Sequence, residues 1–263
     1  MSVKPPAVPS AAATLVLLRD RPEGGPEILL IKRHAKSKFA AGDHVFPGGK
    51  VGTGDNPEDA IRWCRGFDVT AAAARLGVTS AEAIALYVGA IRETFEEVGI
   101  LLAYDAGGRF ARVDAPRFVD YRAACQKENR AFWDMVRAER LALATDRLVY
   151  FAHWITPEEQ PLRFDTRFFA ADLPPGQDAR ADGYEITEVR WLGPAEAHSA
   201  FKAGEISLRN PTARNVDLFV GATSAADGVR RVTGREIPTI RPRILFGANG
   251  ERRILMPGDE GYH

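Results

Sequence analysis

The stretch Arg92-Glu93-Thr94-Phe95-Glu96-Glu97-Val98-Gly99-Ile100 concentrates charge where a helix should end. Ile84, Val88, Ile91, Phe95 and Val98 recur at alternating spacings of four and three, an apolar stripe that predicts one long helix packed on a core. Ser80 reads as its N-cap and Gly99 as its C-cap. At about 100° per residue, Glu93 lies opposite the stripe, with Glu96 and Glu97 to either side of it. Three carboxylates therefore share a face. Like charges so placed repel at about 0.2–0.5 kcal/mol per pair. They also crowd the negative end of the helix dipole, where anions are disfavoured. A solvated acidic face and a divalent-cation site both fit this pattern, and a bound cation would relieve both costs.

Working outward, Ala12 to Leu18 and Ile28 to Lys32 read as strands around a turn at Pro22 to Pro26. His44 to Phe46 reads as a short strand stopped by Pro47-Gly48-Gly49. Residues 58 to 77 are helix-like but poorly patterned. Downstream, Ile100 to Tyr104 predicts a strand and Phe118 to Leu143 a charged amphipathic helix. Strands are then expected at Leu148 to Ile155, Arg167 to Ala171 and Ile186 to Leu192, and a short helix opens at Pro194. The tail has a helix-like segment around Asn215 to Gly221 and a hairpin from Ile244 to Leu255, turning at Asn249-Gly250. Strands on both sides of a central helix predict one mixed α/β domain. Residues 1–10, rich in proline, are expected to be disordered. A single domain is expected over 11–263, with insertions around 56–79 and 110–145 and a C-terminal extension from about 195.

Thirty-five basic and thirty-five acidic residues cancel, so no global field holds nucleic acid or an anionic membrane. Ala11 to Leu18 is too short for a membrane span and lacks the layout of a signal peptide. A cytoplasmic location is the expectation. Cys64 and Cys125, the two cysteines, make neither a disulfide framework nor a four-cysteine zinc site. The five histidines show no H-E-x-x-H spacing, and no G-x-S-x-G elbow is present. His44 and His153 read as structural, and Phe132, Trp133 and Met135 as core or as a cleft wall.

The segment Arg92 to Ile100 resembles the second half of the Nudix box, G-x5-E-x7-R-E-U-x-E-E-x-G-U, where U is bulky and apolar. Phe46-Pro47-Gly48-Gly49 resembles the strand end and glycine turn that open it. Thr94 stands at a U position, and Asp55 stands where the first glutamate would be. About 29 residues are inserted between Asp55 and Arg92, a length that marks a functional or structured insertion. A Nudix subgroup with coenzyme A diphosphatase activity carries such an insertion and the upstream signature L-L-T-x-R-[SA]-x3-R-x3-G-x3-F-P-G-G. Leu29, Leu30, Arg33, Lys38 (for the second Arg), Gly42 and Phe46 to Gly49 fall in its register, while Ile31 and His34 depart from it. Arg163 to Phe169, Arg190-Trp191-Leu192 and Pro257 to Glu260 are also similar to that subgroup.

The resemblance implies an α/β fold, a Nudix-type α/β/α sandwich with a mixed sheet and helical insertions. It implies an Mg²⁺ or Mn²⁺ cofactor held by Glu93, Glu96 and Glu97, with the Gly48/Gly49 backbone helping. Glu93, Glu97 and Arg92 are the implied catalytic set, Arg92 holding the carboxylates in place. Glu93, Glu185 or Glu188 is the expected base, and for the last two a plain surface charge is the rival reading. Lys32, Arg33, Lys36 and Lys38 form a basic cluster, of which Arg33 and Lys38 are the candidate phosphate contacts. The implied activity is hydrolysis of a diphosphate in a nucleoside-diphosphate-linked metabolite. Coenzyme A or an acyl-coenzyme A leads, ahead of NADH, ADP-ribose or a nucleotide sugar. A silent ligand-binding Nudix fold is the reading from another class. The expected partner is a small nucleotide-linked substrate, with neither nucleic acid nor membrane, and a homodimer is left open.

Overall fold

The structure, a computed structural model, describes residues 5–37, 39–247 and 251–262. Its strands are β1 (Ser10–Asp20), β2 (Pro26–Arg33), β3 (His44–Val45), β4 (Gly48–Lys50), β5 (Ala103–Tyr104) and β6 (Ala142–Leu143). They continue with β7 (Val149–Ile155), β8 (Phe164–Asp172), β9 (Ile186–Leu192), β10 (Thr239–Ile240), β11 (Arg243–Phe246) and β12 (Arg252–Leu255). The helices are α1 (Val69–Leu76), α2 (Ser80–Val98), α3 (Pro116–Cys125), α4 (Arg130–Ala138), α5 (Pro194–Lys202), α6 (Asn210–Asp217) and α7 (Ala225–Val232).

The main sheet runs β10-β7-β8-β1-β2-β3, with β4 on β1 and β9 on β2. β1 is parallel to β8 and β10 to β7, and the remaining pairs of this sheet are antiparallel. The central strands are apolar on both faces because both are covered. Leu15, Leu17, Leu29, Ile31, Phe169 and Ala171 join the core built with α1 to α4. Their alternates Val16, Leu18, Ile28, Leu30, Phe168 and Ala170 join the core under α5 to α7. Period-two alternation thus sends neighbouring residues to opposite helical layers, giving the mixed-sheet α/β/α sandwich that was anticipated.

The apolar stripe of α2 is buried, but the helix is buried almost all round: Ala83, Leu86, Tyr87 and Ala90 are inside as well. Gly89 explains one side of this, since a Cβ there would lie 2.1 Å from Val51 Cγ1. The bare backbone lets the loop after β4 press onto the helix.

Several boundaries differ from expectation. Thr79, not Ser80, is the N-cap of α2. Its side chain accepts from Glu82 N while Glu82 reaches back to Thr79 N, a capping box in which Ser80 is the first helical residue. The strand expected from Ile100 shrinks to Ala103–Tyr104, paired with Ala142–Leu143. The helix expected over Phe118 to Leu143 is two helices, α3 and α4, that pack on each other, and Leu143 lies in β6. Folding back lets Phe118, Phe132 and Met135 all reach the core. Within the N-terminal segment expected to be disordered, Ser10 pairs with Phe164, and Ala7 O accepts from Arg163 Nη1 at 2.6 Å; residues 1–4 lie outside the described residues. Lys38 and the Asn249-Gly250 turn lie outside the described residues. No single helix among the described residues is long and apolar enough to cross a membrane.

Candidate active site

Gly48 and Gly49, expected to be a turn, are the first two residues of β4, which pairs with β1 through Ala13↔Gly49 and Thr14↔Gly48. A Cβ on Gly48, at φ +153°, would sit 2.4 Å from Ala13 O, and one on Gly49 would sit 2.6 Å from Glu93 Oε2. The two glycines therefore do different work. Gly48 permits the strand pairing, and Gly49 lets the Glu93 carboxylate lie against bare backbone. Gly48 N donates to Glu97 Oε2 at 2.8 Å. Sheet and helix are joined at that bond.

Arg92 gathers the other carboxylates. Its Nε donates to Asp55 Oδ1 at 2.6 Å and its Nη1 to Glu96 Oε2 at 2.9 Å. Nη1 also lies 2.9 Å from Glu93 Oε1, and Nη2 donates to Lys50 O at 3.0 Å. Asp55 Oδ2 further accepts from Gly52 N at 3.0 Å. Burial works against the charge of Arg92, but the Asp55 bond and the charges of Glu93, Asp55 and Glu96 more than offset it, so its pKa is raised. The chain between Asp55 and Arg92 forms α1 and most of α2, and brings the Asp55 carboxylate back against Arg92.

Four carboxylates, Asp55, Glu93, Glu96 and Glu97, thus face two guanidinium groups, Arg92 and Arg33. The solvated-face reading fails, because the side chains of Glu93, Glu96 and Glu97 are only 15%, 12% and 5% exposed. Burial raises the pKa of all three, Glu96 to about 7 and Glu97 well above the ordinary carboxylate range. For Glu97 the charge of Glu93 adds to burial, while Arg33 and Gly48 N pull the other way.

Among the described residues, no group of three or more His, Cys, Asp or Glu closes on one point as a ready metal cage. The reason is visible: Glu93 and Glu96 turn onto Arg92, and Glu97 turns onto Gly48 N and Arg33. The donor set still fits a divalent cation. Glu96 Oε1 is buried with no hydrogen-bond partner, and the cluster sets four carboxyl groups against two guanidinium groups. Mg²⁺ needs only one or two carboxylates beside water and phosphate oxygens.

The remaining candidates separate. Arg33 enters the site, with Nη1 3.4 Å from Glu97 Oε1 and Nη2 3.7 Å from Glu185 Oε2. Glu185 is held there by Asp182, whose Oδ1 accepts from Tyr184 N, Glu185 N and Ile186 N. Glu188 lies elsewhere, 3.0 Å from Arg190 Nε and 4.0 Å from Lys32 Nζ. His153 bridges Asp165 and Thr239 within the sheet, as a structural histidine should. A cavity of about 500 Å³ opens beside Arg33 and Gly48, on the sheet face opposite α2, with Phe46, Trp154 and Phe168 in its wall.

Residues 70–217 match the family model described as the NUDT19 Nudix domain. The chain belongs to this Nudix family. As a Nudix chain it is similar to the human protein named acyl-coenzyme A diphosphatase NUDT19, at 27% identity across 93% of this chain and 74% of that protein. The Xenopus laevis protein of the same name is 28% identical across 70% of this chain and 57% of its own length. A crystal structure of a Nudix hydrolase from Alicyclobacillus acidocaldarius superimposes with a TM-score of 0.72 at 28% identity, covering 87% of this chain and 99% of that one. The Nudix chain is accordingly a hydrolase of a family that generally uses divalent metals.

Sequence reasoning missed Arg122 and Gln126 as neighbours of the site and left Trp133 between core and cleft wall. Arg122 Nη2 donates to Glu97 O, Gln126 Nε2 to Glu96 O and Trp133 Nε1 to Gly54 O. These bonds end on backbone atoms, which carry no residue signature.

Proposed function

We propose that this Nudix hydrolase splits the diphosphate of coenzyme A or an acyl-coenzyme A, giving 3′,5′-ADP and (acyl-)4′-phosphopantetheine. The observation that carries the chemistry is the buried cluster of carboxyl groups on α2 that Arg92 and Gly48 N gather, with Gly48 and Arg33 also lining the cavity. The substrate choice is supported by the names of the relatives and by the register of Leu29, Leu30, Arg33, Gly42 and Phe46 to Gly49.

Glu93, Glu96 and Glu97 are the residues that would hold Mg²⁺ or Mn²⁺. When bound, such an ion neutralises diphosphate charge and makes a coordinated water more acidic. Arg92 holds Glu93 and Glu96 near one another and Asp55 fixes Arg92, so that only the carboxylate ends need turn to meet a cation. Arg33 offers its guanidinium at the cavity wall, where a phosphate would compete with Glu97 and Glu185 for it. Glu93 takes the proton of the attacking water: it is buried, its basicity is raised, and it lies against Gly49. Glu185 is the second base candidate by position, and Glu188 is too far engaged with Arg190. The apolar cavity wall receives the organic part of the substrate.

The test compares kcat/KM for coenzyme A, an acyl-coenzyme A, dephospho-coenzyme A, NADH and ADP-ribose at one Mg²⁺ concentration, with products identified by mass spectrometry. Dephospho-coenzyme A should be cut at least about tenfold less efficiently, because charge-assisted bonds to the 3′-phosphate are left unmade. Preference for NADH or ADP-ribose would retain the diphosphate chemistry and discard coenzyme A.

A further inference from the structure

The last intrahelical bond of α2 runs from Gly99 N to Phe95 O at 2.9 Å. The next three carbonyls have no partner inside the helix, and each is satisfied from outside. Glu96 O accepts from Arg122 Nε at 2.9 Å and from Gln126 Nε2 at 2.8 Å. Glu97 O accepts from Arg122 Nη2 at 2.7 Å, and Val98 O from Arg180 N at 2.9 Å. Arg122 Nη2 also donates to Arg180 O at 2.9 Å, so one guanidinium ties α2 both to α3 and to the segment before β9.

We infer that Arg122, assisted by Gln126, is a positioning residue that seats the final turn of α2 and thereby aims the Glu96 and Glu97 carboxylates. The inference rests on the reading of those carboxylates as the active site. Gly99 is part of the device. Its φ of +74° reverses the chain, and a Cβ there would come within 3.3 Å of Arg122 Nη1. The cation sits at the helix end that the dipole makes negative, where it answers the charge crowded there. The contacts go to main chain, so Arg122 touches neither acidic side chain directly and governs them through the peptide units that carry them. The planar guanidinium spans two successive carbonyls at once, which a lysine ammonium with its point charge does less well.

The test measures kcat and KM for Arg122→Ala, Arg122→Lys and Gln126→Ala, with Arg117→Ala as control. Arg117 lies on α3 as well but bonds Glu139. Displaced reacting groups cost turnover, on the order of 10²-fold for about 1 Å. Arg122→Ala should lose at least about tenfold in kcat with KM within about twofold, and guanidinium at concentrations that leave the fold intact should restore part of it. Arg122→Lys should fall between, and Gln126→Ala should lose a smaller part of kcat, again at constant KM. If Arg122→Ala does not fold, Arg122→Lys and Gln126→Ala decide. Glu97→Gln in parallel separates the two ideas. An inactive Glu97→Gln beside Arg122 and Gln126 variants that match Arg117→Ala overturns the positioning role alone. An active Glu97→Gln overturns the site itself.

Discussion

Arg92 Nε lies 2.6 Å from Asp55 Oδ1 although 37 positions separate the two residues. Both side chains are almost wholly buried, at 2% and 0% exposure. Removing one partner of such a pair leaves an uncompensated buried charge and costs about 3–5 kcal/mol. Asp55→Ala should therefore destabilise the protein by that order in urea unfolding and also release Glu93 and Glu96 from a fixed Arg92. Asp55→Glu, which restores the residue type of the family pattern, should keep most of the stability if the loop yields by one methylene. A fully stable Asp55→Ala would show that the insertion, not this pair, holds the site.

Glu97 makes the bond that links helix and sheet, accepting from Gly48 N while fully enclosed. Glu97→Gln keeps the shape but removes the charge. Its turnover should fall on the order of 10²–10⁴-fold, with a circular dichroism spectrum like that of the parent. The melting temperature of the parent should rise with Mg²⁺ or Mn²⁺, since the ion binds the native state, and that of Glu97→Gln should not. A Glu97→Gln protein hydrolysing at the parental rate would remove Glu97 from the chemistry.

The sandwich and the carboxylate face were legible because both are periodic. Alternation in β1, β2 and β8 and the stripe on α2 report local geometry that any neighbourhood must respect. The carboxyl groups do crowd the end of α2, yet Arg122 already answers the dipole there, so their burial together is what is left for a cation to relieve. That answer was not legible, since a side chain bonding to a distant carbonyl leaves no spacing to read. The break between α3 and α4 was missed for a related reason: both halves are amphipathic, and only tertiary packing decides where the chain folds back. Glu185 and Glu188, equal in sequence, part company because the Asp182 turn before β9 sets one beside Arg33 while β9 sets the other beside Arg190.

Metal removal should expose a pH dependence whose sign follows from burial. Glu96 in the folded protein titrates at about 7, above the ordinary value of 4.5, and Glu93 and Glu97 shift the same way. A carboxyl with a raised folded pKa contributes fully below its unfolded value, and that contribution is lost as pH rises through the folded one. The melting temperature in EDTA should thus decline between about pH 5 and pH 8. His44 acts oppositely, because burial lowers its pKa and its contribution is lost as pH falls. Glu96→Gln isolates the glutamate part: it should flatten the decline, and saturating Mg²⁺ should flatten it in the parent. A slope identical in Glu96→Gln and parent would assign the dependence to other groups.

Trp133 reaches from α4 to donate its Nε1 to Gly54 O at 2.9 Å, next to Asp55. Trp133→Phe keeps most of the buried ring and deletes that donor. The loss should be about 1 kcal/mol of stability, with a reduction in kcat through a looser Asp55 loop. Hydrogen exchange at the 52–56 amides should quicken while that in β1 stays unchanged. Unaltered exchange there would confine Trp133 to core packing.

Gly48 and Gly49 give the sharpest contrast between fold and chemistry. A methyl on Gly48 would strike Ala13 O and Thr14 Cα at 2.4 and 2.6 Å, both main-chain atoms in the strand beside it, from a φ of +153°. Neither neighbour can step aside without unzipping β1 from β4, so Gly48→Ala should lower stability strongly, and activity with it. A methyl on Gly49 would instead strike the Glu93 carboxylate, at 2.6 to 2.8 Å from its carbon and oxygens, and no positive φ strains the backbone. The end of a side chain can swing away. Gly49→Ala should melt within a few degrees of the parent, while kcat falls on the order of 10²-fold because Glu93 is displaced by about an ångström from where it acts. Differential scanning calorimetry and steady-state kinetics on both variants read the two effects separately. Full activity in a stable Gly49→Ala would mean that the close approach of Glu93 to β4 plays no part in the reaction.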